Sequence, residues 1–205
     1  MSALRNYTCG GHRRRKFPRS AGMTRSTRSR HISQIRKFYR EAHTRTQQHG
    51  RIWYQREHDY ALWLAQRTGY PPRVVCACLA VLSPRCQWTR VKGACGQLLS
   101  GDVPSGIFGR SLAKADEILT SRRTLVIDPR RAPKTWAFWQ NLWRPYNHYP
   151  VTLDSWMFQA HGLPAKTGLR TYNALADAYR TVARDLELVP NQLQAIVWLH
   201  VKENQ

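Results

Sequence analysis

Acidic residues are scarce in this sequence, and one of them stands at a position suited to chemistry. The 205 residues include 12 Asp and Glu against 33 Lys and Arg. Asp154 lies in the segment V-T-L-D-S-W-M-F, between apolar residues and at the start of a predicted helix. One role for it is to cap that helix, since Asp is favoured there. The other role is catalytic, because a fixed carboxylate can stabilise the positive charge that develops on a sugar when a glycosidic bond breaks, and can activate a nucleophile.

Other familiar catalytic and metal-binding patterns are missing from the sequence. It contains no phosphate-binding glycine loop, no G-x-S-x-G, no H-E-x-x-H and no H-x-E with a paired P-C-x-x-C. The eight histidines are scattered, and the five cysteines form no C-x-x-C pair. This cysteine pattern argues against a disulfide scaffold, a zinc ribbon or an iron–sulfur cluster, and it favours a reducing compartment. We therefore expect no metal, no cofactor and a cytoplasmic location.

The charge indicates the class of partner. A formal net charge of +21 is more than a fold requires, and a polyanion explains it best. Residues 1–30 hold nine Lys and Arg and no acid, with few apolar residues, so we predict a disordered basic arm that contacts phosphates without sequence preference. A solvated tail with no specific role and an Arg-rich transit peptide are the alternatives for this segment.

From residue 31 onward, apolar residues recur at helical spacing, and this predicts an all-α fold. Hydrophobic residues make up 42% of the chain, enough for a core. Extended structure is expected only at 124–127 and 149–153. No apolar run reaches the roughly 18–20 residues of a membrane span, so no membrane is expected. We predict one domain over residues 31–205, with helices at His31–Gln48, Arg51–Arg67, 73–82, Gln87–Leu99, Ser111–Thr120, 134–143, 154–161, 172–186 and 193–201.

Four segments occur in a set order between residues 73 and 162. They are A-V-L-S-P-R-C-Q-W at 80–88, G-I-F-G with A-K-A and a later Ile at 106–118, P-R-R-A-P-K-T-W at 129–136, and V-T-L-D-S-W-M-F at 151–158. Together they resemble the helix-hairpin-helix DNA glycosylases of the endonuclease III type. Those proteins carry L-L-S-x-Q-x-T, G-[FL]-Y-x-x-K-A-x-x-I, G-V-G-x-K-T-A and V-D-T-H-V-F in this order. The fold that the resemblance implies is a helix-hairpin-helix DNA glycosylase-like helical domain.

The sequence also departs from that family. Arg130-Arg131-Ala132-Pro133 replace the hairpin glycines, whose backbone amides approach a phosphate, and the two arginines could supply that contact by charge instead. The stretch between Ala115 and the hairpin is short for the family, and the iron–sulfur cysteines of some members are missing. These departures concern the reaction more than the fold.

The resemblance implies roles for individual residues. Asp154 matches the catalytic aspartate. Lys134 matches the lysine that bifunctional members use as an amine nucleophile, which gives a Schiff base with the sugar and strand cleavage. Its alternative role is to cap the hairpin or bind a phosphate. Arg85 matches the residue that fills the gap left by a flipped base, or it binds a phosphate. The predicted DNA contacts are Arg85, Gln87, Arg110, Lys114, Arg130, Arg131 and Thr135.

A flipped base requires an aromatic or apolar pocket. Trp156, two positions after Asp154, is the first candidate for its wall, followed by Trp88 and Trp139. A tryptophan at helical spacing can equally belong to the core, so each of these residues has two interpretations.

Three functions remain open on the sequence. The favoured one is a monomeric DNA glycosylase that flips and excises a modified base from double-stranded DNA. Its substrate would include the hypermodified bases of phage DNA, and its setting would be the nucleoid of a bacterial or phage-infected cell and antiviral defence. The second is a base-hypermodifying transferase of the same fold, similar to the alpha-glutamyl/putrescinyl thymine pyrophosphorylases, which needs a modified base and a small-molecule donor. The third is a non-enzymatic basic DNA-binding protein, which assigns no role to Asp154.

Overall fold

The computed structural model describes residues 24–124 and 127–204. These residues form α-helices joined by turns and irregular segments, with no strand among them, and this confirms the all-α class. Residues 149–153 are irregular chain rather than a strand, and the segment 124–127 lies partly outside the described residues. The helices are α1 Arg25–Glu41, α2 Thr44–Thr68, α3 Pro72–Leu82, α4 Trp88–Leu99, α5 Gly109–Ser121, α6 Pro133–Trp143, α7 Ser155–Ala160, α8 Leu169–Asp185 and α9 Pro190–Glu203.

The first two helices divide the chain differently from the prediction. The break falls between Glu41 and Thr44 rather than near Gly50, which lies inside α2. A Cβ atom on Gly50 would lie 2.6 Å from the backbone nitrogen of Ile196, so the glycine makes room for α9 instead of ending a helix. The helix α1 begins at Arg25 and so includes part of the segment 1–30. The rest of the predicted arm, residues 1–23, lies outside the described residues.

The other helices begin and end close to the predicted positions for local reasons. Pro72, Pro133 and Pro190 each occupy the first position of a helix, where the missing N–H leaves no hydrogen bond unmade. Gly69 ends α2 in the left-handed conformation, with φ of 72°.

Two clusters of buried side chains form the core. The first surrounds α3, whose residues 74–82 are all buried, and it includes side chains of α2, α4, α5 and α6. The second lies among α1, α7, α8 and α9. Helices α2 and α9 pack along each other, and α9 contributes Ala195 to the first cluster and Ile196 to the second. The pair α2 and α9 therefore joins the two parts of the molecule. No described helix is both long and apolar enough to cross a membrane.

Candidate functional site

A cavity of about 640 Å³ lies where the two core clusters meet. Its walls come from α2, the α3–α4 loop, α6, the start of α7 and α9. A separate depression of about 450 Å³ lies beside α4 at Arg90 and Gly106, and no acidic or aromatic side chain lines it. The larger cavity is lined by an acidic side chain and by aromatic side chains, so it is the candidate functional site.

Asp154 lines this cavity and also caps a helix. It is the N-cap residue of α7, and its Oδ1 accepts a hydrogen bond from the backbone N–H of Met157 at 3.0 Å. Its Oδ2 accepts a second hydrogen bond from Nε1 of Trp198 at 3.1 Å. The two roles considered for Asp154 are compatible, because the cap holds the carboxylate in place at the edge of the cavity.

Lys134 lines the same cavity from the first turn of α6. Burial lowers the pKa of Lys134, while the negative charge of Asp154 acts in the opposite direction. An amine and a carboxylate, 20 positions apart in the sequence, therefore face one space and sense each other's charge.

The α3–α4 loop brings the predicted residues Arg85 and Gln87 to the cavity, and Trp88 lines it from the first position of α4. Arg85 is exposed and has a left-handed backbone, with φ of 56°, which is unusual for a residue other than glycine. Its guanidinium carbon lies 5.7 Å from the centre of the exposed Phe108 ring. Gln87 is exposed and is the N-cap residue of α4.

Aromatic rings form much of the cavity wall. The half-buried Trp88 ring lies 5.6 Å from that of Trp53 and 5.4 Å from that of Phe138, measured between ring centres. The Nε1–H of Trp88 is buried and has no hydrogen-bond partner in the described part of the chain. Trp156 lines the cavity with 42% of its surface exposed. These rings give a planar ligand surfaces on which to stack.

Trp139 lies elsewhere, in the core. It is 8% exposed, its ring stacks on Trp143 with 5.8 Å between centres, and its Nε1 donates to the backbone oxygen of Arg73. Its position on α6 turns it towards α3, and it does not line the cavity.

The remaining predicted DNA contacts also lie outside the cavity. Two of them are exposed arginines in the turn before α6 and two are exposed on the first turns of α5, so these four belong to surfaces rather than to the pocket. In that turn the backbone N–H of Arg130 donates to Oδ1 of Asp128 at 2.8 Å, and Nε of Arg131 lies 3.7 Å from Oδ2. The residues in this group are Arg110 and Lys114 on α5, Arg130 and Arg131 in the turn, and the half-buried Thr135 on α6.

Several polar and aromatic residues of the site were not predicted from the sequence, and four of them enter its hydrogen bonds. These four are Tyr54 on α2, Thr152 before α7, and Gln194 and Trp198 on α9. One signal was present, since Gln194 interrupts the apolar run L-Q-A-I-V at 193–197, where a lone polar residue marks a buried polar contact.

The comparisons with known proteins supply a family. The profile described as "Family of unknown function (DUF7178)" matches residues 18–205. The chain belongs to the DUF7178 family. The match covers all of the helices and the whole cavity of this DUF7178 member. Neither the curated proteins nor the solved structures that were compared with it gave a match.

Proposed function

We propose that this DUF7178 protein is a DNA glycosylase that flips a modified base out of duplex DNA and cleaves its N-glycosidic bond in the cavity. One observation carries the proposal. Asp154 and Lys134, which the sequence resemblance matches to catalytic positions, line one cavity together with Arg85 and Gln87, which it matches to DNA-contacting positions. The resemblance supports the glycosylase chemistry, and the shared cavity supports the grouping of these residues.

The environment of Asp154 suits the charge that the reaction develops. Among the described residues that line the cavity, Asp154 is the only acid. Donors on Met157 and Trp198 occupy one lone pair on each of its oxygens and fix the carboxylate. Such a fixed negative charge stabilises an oxocarbenium-like sugar more than the neutral substrate, and so accelerates bond cleavage.

Lys134 determines which of two courses the reaction takes. A desolvated amine loses its proton more readily and becomes a better nucleophile. Attack by the Lys134 Nζ on C1′ of the sugar forms a C–N bond as the bond to the base breaks, and the electron pair leaves with the base. If Lys134 instead contacts a phosphate, Asp154 activates water and the product is an abasic site.

Charge around the cavity suits DNA. In the described part of the chain, three cationic side chains line it, namely Arg85, Lys134 and Lys202, against the one carboxylate of Asp154. Under this proposal Arg85, which is exposed and has a left-handed backbone on its loop, enters the gap that a flipped base leaves. The net charge of +21 provides further phosphate contacts through counterion release.

The size of the cavity favours a modified base. Pockets of about 300–1,000 Å³ enclose drug-sized ligands, and this one measures about 640 Å³. A base that carries a substituent, as in hypermodified phage DNA, uses more of that space than an unmodified pyrimidine. We therefore propose the DNA of an infected bacterial cell as the setting and defence against phage as the purpose.

The test is incubation of the full chain with a panel of modified genomic DNAs, with mass spectrometry of released bases and counting of abasic sites. Asp154→Asn keeps the shape of the helix cap but removes the charge, and we expect base release to fall on the order of 10²–10³-fold with the fold intact. Asp128→Asn is the matched control, because Asp128 also accepts a backbone N–H but lies outside the cavity. Near-normal base release by Asp154→Asn, or none by the native chain on any DNA, would contradict the proposal.

A further inference from the structure

Gln194 is a buried polar residue whose amide reaches the cavity. It is 5% exposed and lines the cavity from α9. Its Oε1 accepts a hydrogen bond from the Tyr54 hydroxyl at 2.8 Å. Its Nε2 has no hydrogen-bond partner in the described part of the chain, so two N–H donors are left for a ligand.

A chain of buried side chains fixes the orientation of that amide. It starts at the backbone oxygen of Pro145, which can only accept, and which receives a hydrogen bond from Nδ2 of Asn191 at 2.7 Å. Asn191 Nδ2 also lies 3.4 Å from Oδ1 of Asn141. Because Oδ1 of Asn141 faces Asn191, its Nδ2 faces Thr152. This Nδ2 donates a hydrogen bond to Oγ1 of Thr152 at 3.0 Å.

The chain continues to the cavity through two hydroxyl groups. Thr152 accepts from Asn141, and both side chains act on the Tyr54 hydroxyl as donors do, since they lower its pKa. Burial raises the pKa of Tyr54 far above its ordinary value, and hydrogen bonds with Thr152 and Asn141 oppose this only in part. Tyr54 therefore keeps its proton and donates it to Gln194. Each donor points towards the cavity, and the last one is the Gln194 amide nitrogen.

A second unpaired donor belongs to a side chain whose ring lines the same cavity. The Nε1–H of Trp88 is buried without a partner among the described residues, and an indole N–H can only donate. That N–H is turned away from the open space of the cavity, and the contribution of Trp88 is its ring. The rings of Trp53, Trp88 and Phe138 lie together and give a planar heterocycle a surface on which to stack.

We infer that the cavity selects a base that presents carbonyl oxygens, as a uracil-type base does at O2 and O4, over a base with an exocyclic amino group, such as a cytosine type. One of these carbonyl oxygens accepts from the free Nε2 of Gln194. An exocyclic amino group at the same position would set its own N–H donors against those of Gln194. The hydrogen-bond chain prevents the Gln194 amide from turning over to present its oxygen instead. The inference rests on the proposed function and specifies its substrate class.

The experiment compares three DNA duplexes in one salt buffer. Two carry 5-hydroxymethyluracil or 5-hydroxymethylcytosine opposite an abasic-site analogue, so that base pairing does not differ between them, and the third is an unmodified duplex. The full chain with Asp154→Asn is used, so that the base stays attached, and dissociation constants are measured by fluorescence anisotropy. We expect the uracil-type duplex to bind about 10- to 100-fold more tightly than the cytosine-type duplex, the effect of one mismatched buried hydrogen bond.

Tyr54→Phe tests the mechanism of selection. It removes the donor that orients Gln194, so the amide can turn over and the preference between the two modified duplexes should largely disappear, with binding retained. Tyr60→Phe, on the same helix but outside the cavity, is the matched control and should keep the preference. If thermal unfolding shows that Tyr54→Phe is not folded, Gln194→Met takes its place, because it removes both donors of the amide.

The outcomes separate this inference from the proposed function. The inference would be overturned by equal affinity for the two modified duplexes, by tighter binding of the cytosine type, or by a preference that survives Tyr54→Phe, or Gln194→Met where it takes its place. The proposed function would still be decided by the separate assay of base release. Failure to bind any of the three duplexes would overturn the proposed function as well.

Discussion

The indole nitrogen of Trp198 donates a hydrogen bond to Oδ2 of Asp154 at 3.1 Å, across 44 positions of sequence. Lys202, one turn later on α9, places its Nζ 4.2 Å from the centre of the Trp198 ring. The last helix of the chain thus holds the carboxylate that begins α7. Under the proposed function, Trp198 is a positioning residue, since it acts on the reaction through Asp154.

Trp198→Phe should weaken catalysis without abolishing it. The variant keeps the ring but loses the N–H that holds Oδ2, and a hydrogen bond to a charged group contributes about 1.5–3 kcal/mol, so base release should slow by roughly 10- to 100-fold. Single-turnover rates of base release give the measurement. Trp63→Phe, at an exposed position of α2, should keep the native rate. A native rate in Trp198→Phe would show that the cap alone positions Asp154.

Lys134 should form a covalent adduct that borohydride traps on substrate DNA. Trapping requires the unprotonated amine. Because burial lowers the pKa of Lys134, the yield should rise with pH at lower values than for an exposed lysine. Lys134→Ala should abolish the adduct, whereas Lys37→Ala, at an exposed position of α1, should retain it. Base release with no trapped adduct at any pH would assign Lys134 to a phosphate or structural contact.

Gly50→Ala should destabilise the protein, although alanine normally favours a helix. The added Cβ would lie 2.4 Å from Cγ1 and 2.6 Å from the backbone nitrogen of Ile196, so α2 and α9 would have to separate. We expect the free energy of unfolding to fall by about 1–3 kcal/mol, as for other overpacked sites. Gly93→Ala in α4 meets no atom within 4 Å and should instead raise it, by up to about 1 kcal/mol. Urea unfolding measures both, and equal effects would contradict the close approach of the two helices.

His161 should make the protein sensitive to acid. Burial, with a smaller effect of His31, lowers the pKa of His161 from 6.5 to about 3. The unfolded chain therefore binds a proton that the folded chain does not. The stability present above pH 6.5 should be lost progressively as the pH falls towards 3, by at most about 4–5 kcal/mol.

The check is the free energy of unfolding at pH 7 and pH 5 for His161→Gln. Neutral His161 fits its surroundings, because its Nδ1 lies 3.2 Å from Oε1 of Gln34 and its Nε2 lies 3.1 Å from the Tyr179 hydroxyl. Glutamine does not titrate, so the difference between the two pH values should shrink. The exposed His49→Gln should leave it unchanged. An unchanged difference in His161→Gln would assign the acid sensitivity to other groups.

Most helices could be predicted from the sequence, because the information that sets them is local. The apolar run at 73–82 and the periodic residues of α8 and α9 each produced a helix at the expected place. The boundary near Gly50 was wrong for a reason that is not local. A glycine alone favours a turn, and the partner that requires it inside a helix, Ile196, is 146 positions away.

The features of the candidate site also divide into those set by local sequence and those set by distant contacts. The sequence by itself determined the all-α class, the basic charge and the place of Asp154 at a helix start, since helical periodicity and capping depend on residues a few positions apart. Only the tertiary structure decided that Tyr54 and Gln194, 140 positions apart, share a hydrogen bond, that Trp198 holds Asp154, and that Trp139 faces the core. These contacts arise because α2 and α9 pack along each other, and the fit between two distant helix faces is a property of the folded chain, which no local pattern specifies.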